Sequence, residues 1–357
     1  MKYTDTEAYQ KEVAEQFAKR NLRLKPGEVV SILKKLDFTI LESELVEAEA
    51  GNMNVTFLTP EYVIKINNNP GIVKYIANVI VSKYLPLERV VQTVLHDVFQ
   101  KTKCEVLVMK RAEGAMWLHA MPRMSEAENI ALFSQVLDVA LLCSKIEYSK
   151  HFGGISEIYK EPAFGFETFS EYLDWRLTTY CTKLREQDDI DLPALSKIEV
   201  YVRKHLSLFQ NDTPCFVHND LHAGNILHTD GALNAIIDFD TSESRPLYTI
   251  LISLIGMIDN PSQYVDGTKY VDMYKERKFE YLYTIIKAKL PEIFDDKNLG
   301  LKLNILGILE GLFWAGDSWS KEWTKEMIEG LSTQEIPVGD DYSKTYYVPI
   351  IEKILKS

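Results

Sequence analysis

Apolar residues change their spacing along this chain, and the changes divide it. Over residues 38–66 they alternate with polar ones or fall in short runs, interrupted at Gly51-Asn52 and at Thr59-Pro60-Glu61. A period of two sets alternate side chains on opposite faces of a pleated strand, so strands are predicted over 38–46, 54–58 and 62–66. Residues 71–85 switch to helical spacing, with Ile72, Tyr75, Ile76, Val79 and Ile80 on one face. Two more strand patterns follow, over 90–100 and 105–109. Upstream, Thr4 and Glu7 have the spacing of a capping box, which predicts a helix to about residue 18. A second helix is predicted over 28–36, after the break at Lys25-Pro26-Gly27.

Beyond Gly114 the spacing is helical over 126–146, 168–186 and 192–209, and again over 247–258, 268–289, 298–316 and 318–330. A mainly β part joined to a mainly α part is an α+β architecture with two lobes. The expected division is a first lobe over 1–110, with its helical extension, and a helical second lobe over 111–357. Lys110-Arg111-Ala112-Glu113-Gly114 is the predicted hinge.

One segment breaks the helical half. It reads His218-Asn219-Asp220-Leu221-His222-Ala223-Gly224-Asn225-Ile226-Leu227, followed after a polar turn by Ile236-Ile237-Asp238-Phe239-Asp240. Asp220 and Asn225 are five apart, and Asp238 comes thirteen after Asn225. This is the H-x-D-x-x-x-x-N spacing of a phosphoryl-transfer loop followed by a metal-binding Asp. Asp220 suits the base that orients a hydroxyl and receives its proton. Asn225 and Asp238 suit Mg²⁺, which prefers hard oxygens and few protein ligands. His218 and His222 bracket an acid, but a zinc-peptidase helix needs Glu after the first His, where Asn219 stands. Upstream, Lys65 lies inside the apolar run Tyr62-Val63-Ile64-Lys65-Ile66, and a charge so placed needs an anionic partner such as a nucleotide phosphate. The Gly51-Asn52-Met53-Asn54 turn would cover the phosphates, with Asn54 as its nucleotide contact. No Walker A motif is present.

The segment HNDLHAGNIL resembles the H-G-D-L-H-P-G-N-I-L pattern of the aminoglycoside phosphotransferase and choline kinase group, a branch of the protein-kinase-like fold. Ile237-Asp238-Phe239 is similar to that group's metal turn, Met109 to Gly114 to its strand-to-hinge segment, and Phe152-Gly153-Gly154 to the loop after its first large-lobe helix. The resemblance implies a small antiparallel lobe binding ATP or GTP, with Met109 and Arg111 at the nucleotide, and a helical lobe binding a small-molecule hydroxyl acceptor. An aminoglycoside or related antibiotic is the first expectation. Asp240, Glu243, Glu310, Asp317, Glu322 and Glu326 would then face a polyamine. Choline, ethanolamine, homoserine, a sugar or a protein hydroxyl are alternatives, with Trp314, Trp319 and Trp323 as an aromatic box for a quaternary ammonium. Two departures stand out. Asn78 occupies the place where the group has a Glu to pair with the strand Lys, which raises a catalytically inactive nucleotide-binding reading and leaves Asn78, Glu47, Glu49 or the nucleotide to hold Lys65. Ser244-Arg245-Pro246-Leu247-Tyr248-Thr249 replaces G-D-P-x-x-D, whose second Asp supports the loop in relatives.

Bulk properties narrow the picture little. A net charge of −12 argues against a nucleic-acid partner, whose footprint is usually basic. The four cysteines form no CxxC pair, so a reducing, cytoplasmic setting is expected. The longest apolar run, 247–258, is too short to span a bilayer, so no membrane partner is expected, and the chain should be a monomer or weak dimer.

Overall fold

The computed structural model describes residues 24–48, 55–67, 72–85, 89–161, 164–188, 190–264, 268–275, 277–317, 321–337 and 341–356. The helix expected before residue 18 and the turn containing Asn54 lie outside them.

Helix α1 (Pro26–Lys35) starts with Pro at its first position, and the Glu28 carboxylate accepts from the Lys25 amide at 2.7 Å. A five-stranded antiparallel sheet follows, in the order β1 (Val46–Glu47), β2 (Val55–Leu58), β3 (Tyr62–Asn67), β5 (Glu105–Lys110), β4 (Thr93–Val98). Strand alternation gives the sheet two apolar faces. Phe57, Ile64, Ile66, Val106 and Val108 pack with Val29 and Leu33 of α1 on one. Leu107, Met109 and Val63 pack with Tyr75 and with Val79 of α2 (Ile76–Tyr84) on the other. Lys65, between Ile64 and Ile66, projects from this second face.

The expected strand over 38–46 shrinks to β1. Ahead of it, the Glu44 carboxylate accepts from the Leu41 amide at 3.0 Å and closes a single turn at Glu42–Glu44. Helix α2 begins later than its apolar spacing suggests. The amides of Lys74 and Tyr75 are taken by the buried carboxylate of Glu105, at 2.7 and 2.9 Å.

Past the short strand β6 (Ala115–Met116) and the turn-long helix α3 (Trp117–Ala120), the helical lobe is built around α4 (Glu126–Ser144). Ser125 and Glu128 close a capping box at its start. The short β7 (Gly153–Gly154) and α5 (Ile155–Lys160) lead to α6 (Phe169–Arg185), capped in the same way by Thr168 and Glu171. Helix α7 (Leu192–His205) is followed by a 3₁₀ turn at Leu206–Phe209, which shortens the helix expected to 209. Strands β8 (Cys215–Val217), β9 (Ile226–Thr229), β10 (Ala232–Ile236) and β11 (Glu243–Arg245) form two three-stranded sheets, in the orders β10–β9–β6 and β7–β11–β8.

Helix α8 (Leu251–Asp259) comes next. The helix expected over 268–289 is two pieces, α9 (Thr268–Tyr274) and α10 (Tyr283–Lys289), because Phe279 between them turns inward and packs on Tyr274 at 5.8 Å. Helices α11 (Leu299–Asp317) and α12 (Lys321–Gly330) match expectation, whereas α13 (Tyr347–Lys356), burying Ile351 and Ile354, was not predicted. Two helices, Glu126–Ser144 and Leu299–Gly316, are long and apolar enough by composition to cross a bilayer. Leu132, Phe133, Leu303 and Leu306 on them belong to the central core of the lobe.

Candidate active site

Strand β8 delivers the chain to the polar loop, and the β9–β10 hairpin brings it back to Asp238. His218 fixes the two ends to one another. Its Nε2 donates to the Ile237 carbonyl at 2.9 Å, its Nδ1 accepts from the Asp220 amide at 3.3 Å, and its ring packs on Phe239 at 4.4 Å. Burial pushes its pKa down, so the neutral ring with Nε2–H fits both bonds. Both ring nitrogens are thereby engaged, which removes His218 from the zinc reading. Among the described residues, no three His, Cys, Asp or Glu side chains gather as a metal cage.

Asn219 and Asp238 have φ of 63° and 64°, in the left-handed region that Asn and Asp tolerate better than most residues. Each places a sharp bend next to a carboxylate. Asp220 keeps its side chain 44% exposed, while Asn225 Nδ2 donates to its main-chain oxygen at 2.9 Å and to Oδ2 at 3.2 Å. Burial raises its pKa, but hydrogen bonds from His222 and Asn225 and the nearby imidazoles outweigh this and hold the group below the usual Asp range. His222 accepts from the Gly224 amide through Nδ1 at 3.1 Å, which leaves Nε2 3.5 Å from Asp220 Oδ1. Its other side is covered by Tyr264, stacked at 4.2 Å.

Lys65 reaches across from the small sheet. Its Nζ lies 2.6 Å from Asp238 Oδ1 and 3.0 Å from Asp240 Oδ2, joining residues 173 and 175 positions apart in sequence. Burial alone would lower its pKa, but the two carboxylates raise it, so the amine stays charged. The same cation holds Asp238 below the usual carboxylate range against its own burial. Burial and the neighbouring Asp238 push Asp240 up to about 6. Asn78 does not hold Lys65. It donates to Asp240 Oδ1 at 2.7 Å and accepts from the Phe239 amide at 3.4 Å, thereby fixing the acid that holds the lysine. An amide suits this place, because a Glu there would set a third carboxylate against Asp240. Glu47 is exposed on β1, and Glu49 lies outside the described residues.

The other sequence candidates fall elsewhere. Met109 is buried against Tyr75 and Leu107 on the Lys65 face of the sheet. Arg111 ties the segment after β5 to the β2–β3 turn, its amide donating to Glu61 O and its guanidinium to Thr59 O. Three of the six acids expected to face a polyamine are already engaged. Asp240 is bound by Lys65 and Asn78. Glu243 accepts from the Tyr172 hydroxyl at 2.8 Å and Asn219 Nδ2 at 3.3 Å, and Glu310 pairs with Arg176 at 3.1 Å. Glu322 and Glu326 are exposed on α12. Trp314 is exposed and meets Phe313 edge to face, and Trp319 lies outside the described residues.

Sequence reasoning did not foresee Asp240 as the second carboxylate on Lys65, nor the grip of Arg245 on the loop. The only local signal for the first was the i, i+2 pair Asp238 and Asp240 flanking a buried Phe.

The oxygens fit a hard dication. Asn225 spends its nitrogen on Asp220 and has Oδ1 to offer, and the Asp238 side chain is 43% exposed with one oxygen on Lys65. Two protein oxygens and open positions suit Mg²⁺, which keeps several waters or phosphate oxygens.

The model of the phosphotransferase enzyme family matches residues 88–271, a stretch that contains the whole loop and Asp238 but not Lys65. No curated protein matches the sequence. Among solved structures the chain is similar to a thermostable mutant of aminoglycoside phosphotransferase APH(4)-Ia in ternary complex with AMP-PNP and hygromycin B. The TM-score is 0.60 at 14% identity, over 85% of this chain and 97% of that one. It is also similar to the streptomycin–ATP–APH(2")-IIa complex, with a TM-score of 0.58 at 15% identity over 88% and 98%. At such identities the likeness concerns the fold, which is protein-kinase-like, with a small antiparallel lobe and a large helical one. The family match covers just over half of the sequence and includes every residue of the loop, so the chain belongs to the phosphotransferase enzyme family.

Proposed function

We propose that the protein is a small-molecule kinase that transfers the γ-phosphoryl group of ATP or GTP to a hydroxyl of its acceptor. One observation carries the reading. Lys65, from the sheet, and Asp220, Asn225 and Asp238, from the helical lobe, converge through the Lys65–Asp238 contact. In this reading residues 1–110 hold the nucleotide and 111–357 supply the loop and the acceptor site. Lys65 turns from its carboxylates toward the phosphates, and Met109 walls the base. Asn225 and Asp238 would hold Mg²⁺, which when bound neutralises phosphate charge. Asp220 orients the acceptor hydroxyl and takes its proton. That relatives of the same fold bind AMP-PNP or ATP supports a nucleotide co-substrate.

An inactive, nucleotide-binding role drew its support from Asn78, and that support weakens once Lys65 has two carboxylate partners. The relatives' complexes with hygromycin B and streptomycin favour an aminoglycoside acceptor. The engagement of Asp240, Glu243 and Glu310 counts against it. The test is transfer from γ-labelled nucleotide to a panel of small alcohols, with and without Mg²⁺. Transfer should vanish in Asp220→Ala while nucleotide binding persists; transfer that survives this change would rule the mechanism out.

A further inference from the structure

Beyond the His222 ring lies a cleft of about 810 Å³. Tyr264 is one of its walls, and that ring stacks on His222, whose Nε2 is 3.5 Å from Asp220 Oδ1. The cleft therefore begins two stacked rings, His222 and Tyr264, away from the candidate base, beside the loop on the helical-lobe side. Phe279 and Tyr346 extend the aromatic wall.

Its charges run against the chain's average. With 52 acidic and 40 basic residues, an arbitrary rim of this protein would be acidic. Here, among the described residues, Lys275, Arg277 and Lys278 line the cleft against two acids, Asp259 and Glu280. Both acids are occupied. Asp259 accepts from the hydroxyls of Tyr283 and Tyr346, and Glu280 pairs with Lys353 at 2.6 Å. Lys275 is paired with Asp272 at 2.5 Å. The exposed Arg277 and Lys278 have no carboxylate within ion-pair distance among the described residues. Two adjacent cations, outside ion-pair distance of every described carboxylate, at the mouth of a concave, aromatic site favour an anion and repel a polycation.

We propose that the acceptor carries a negative group, a carboxylate or a phosphate, apart from the hydroxyl it presents to Asp220, and that Arg277 and Lys278 bind this group. The inference rests on the kinase reading and narrows its substrate. In the reaction the acceptor oxygen forms a bond to the γ-phosphorus, the bond from that phosphorus to the β–γ bridging oxygen breaks, the nucleoside diphosphate leaves, and the hydroxyl proton passes to Asp220. The anionic group stays unchanged and serves only to orient the molecule.

The experiment measures binding of glucose 6-phosphate, gluconate, glucose and kanamycin by calorimetry at one ionic strength, to the full chain and to the double variant Arg277→Glu, Lys278→Glu. Both positions are exposed, so folding should be unaffected. At least one of the two anionic probes should bind more tightly than glucose and kanamycin, and which one does so separates phosphate from carboxylate. The double variant should lose about tenfold or more of that affinity, the scale of two screened charge contacts. The proposal is overturned if kanamycin binds best, if no probe binds, or if the double variant holds the anion as tightly as the native chain. Mg²⁺-dependent nucleotide binding, measured on the same samples, separates the two levels. If it is present while the order of probes is reversed, only the acceptor class is wrong; if it is absent from the native chain, the kinase reading itself fails.

Discussion

The guanidinium of Arg245 donates to the side-chain oxygen of Asn219, tying the strand that follows the Asp238 turn to the residue just before Asp220. Arg245 is only 1% exposed in its side chain and also faces Glu243 at 3.3 Å and Glu310 at 3.5 Å. Ser253 adds a bond to the Asn219 carbonyl at 3.2 Å. These are two of the positions at which the sequence departs from the H-G-D and G-D-P-x-x-D patterns, and the two departures answer one another. Asn219 in place of Gly provides an acceptor, and Arg245 provides the donor that supports the loop.

This pairing separates two substitutions at one position. Asn219→Gly keeps a residue at ease at positive φ but leaves a buried guanidinium short of a partner, a loss of about 1–3 kcal/mol. Asn219→Ala suffers that loss and adds about 1–2 kcal/mol for a Cβ in the left-handed region. Urea unfolding should rank native above Gly above Ala. Equal stability of the Gly and native chains would mean that the Arg245 contact contributes nothing.

Lys65→Met should act on two readouts. It leaves Asp238 and Asp240 side by side without their cation, and it removes the charge assigned to the phosphates. Nucleotide affinity should fall at least about tenfold, the equivalent of ~1.4 kcal/mol. Asp240→Asn added to Lys65→Met should recover melting temperature but not nucleotide affinity, since it relieves repulsion without restoring a cation. Recovery of both together would show that Lys65 serves only to neutralise the acids.

Tyr264→Ala removes the ring that covers His222 and walls the cleft. Its effect should appear mainly as a raised KM for the acceptor, with nucleotide KM nearly unchanged, because Tyr264 borders the cleft and not the Lys65 site. Steady-state kinetics with each substrate varied in turn checks this. An equal rise in both KM values would place the cleft's influence on the whole loop.

What could be read in advance was what is local in sequence. Asp220, Asn225 and Asp238 lie within one loop and hairpin, and their spacing records the geometry. Lys65 was visible as a lone charge in an apolar strand. The pairing of Arg176 and Arg245 with Glu310 was not, since these contacts join residues 134 and 65 positions apart and leave no periodic trace. Alternation over 38–46 misled because it registers apolar spacing, whereas the Glu44 carboxylate that closes a turn there is a polar effect. The split of 268–289 depends on Phe279 finding a place in the core, which helical spacing does not encode.

Glu105 sets the start of α2, and its carboxylate gathers the amides of Lys74 and Tyr75, Asn67 Nδ2 at 3.3 Å and His96 Nε2 at 3.0 Å. Burial raises its pKa, but the four hydrogen-bond partners prevail and hold it below the ordinary Glu value. A carboxyl with a folded pKa below its unfolded one, about 4.3, binds fewer protons in the fold. Its stabilisation is therefore fully present above that value and is lost as pH falls from there toward the folded pKa. Glu105→Gln keeps the shape but presents donors to donors, and at pH 7 it should cost about 1–3 kcal/mol. The difference between native and variant should narrow below pH 4.5 or so, where the native carboxyl begins to protonate. Denaturant midpoints of the two chains at pH 7 and pH 4 give the comparison. A difference that stays constant across that range would mean that the charge on Glu105 has no part in holding the small lobe's helix.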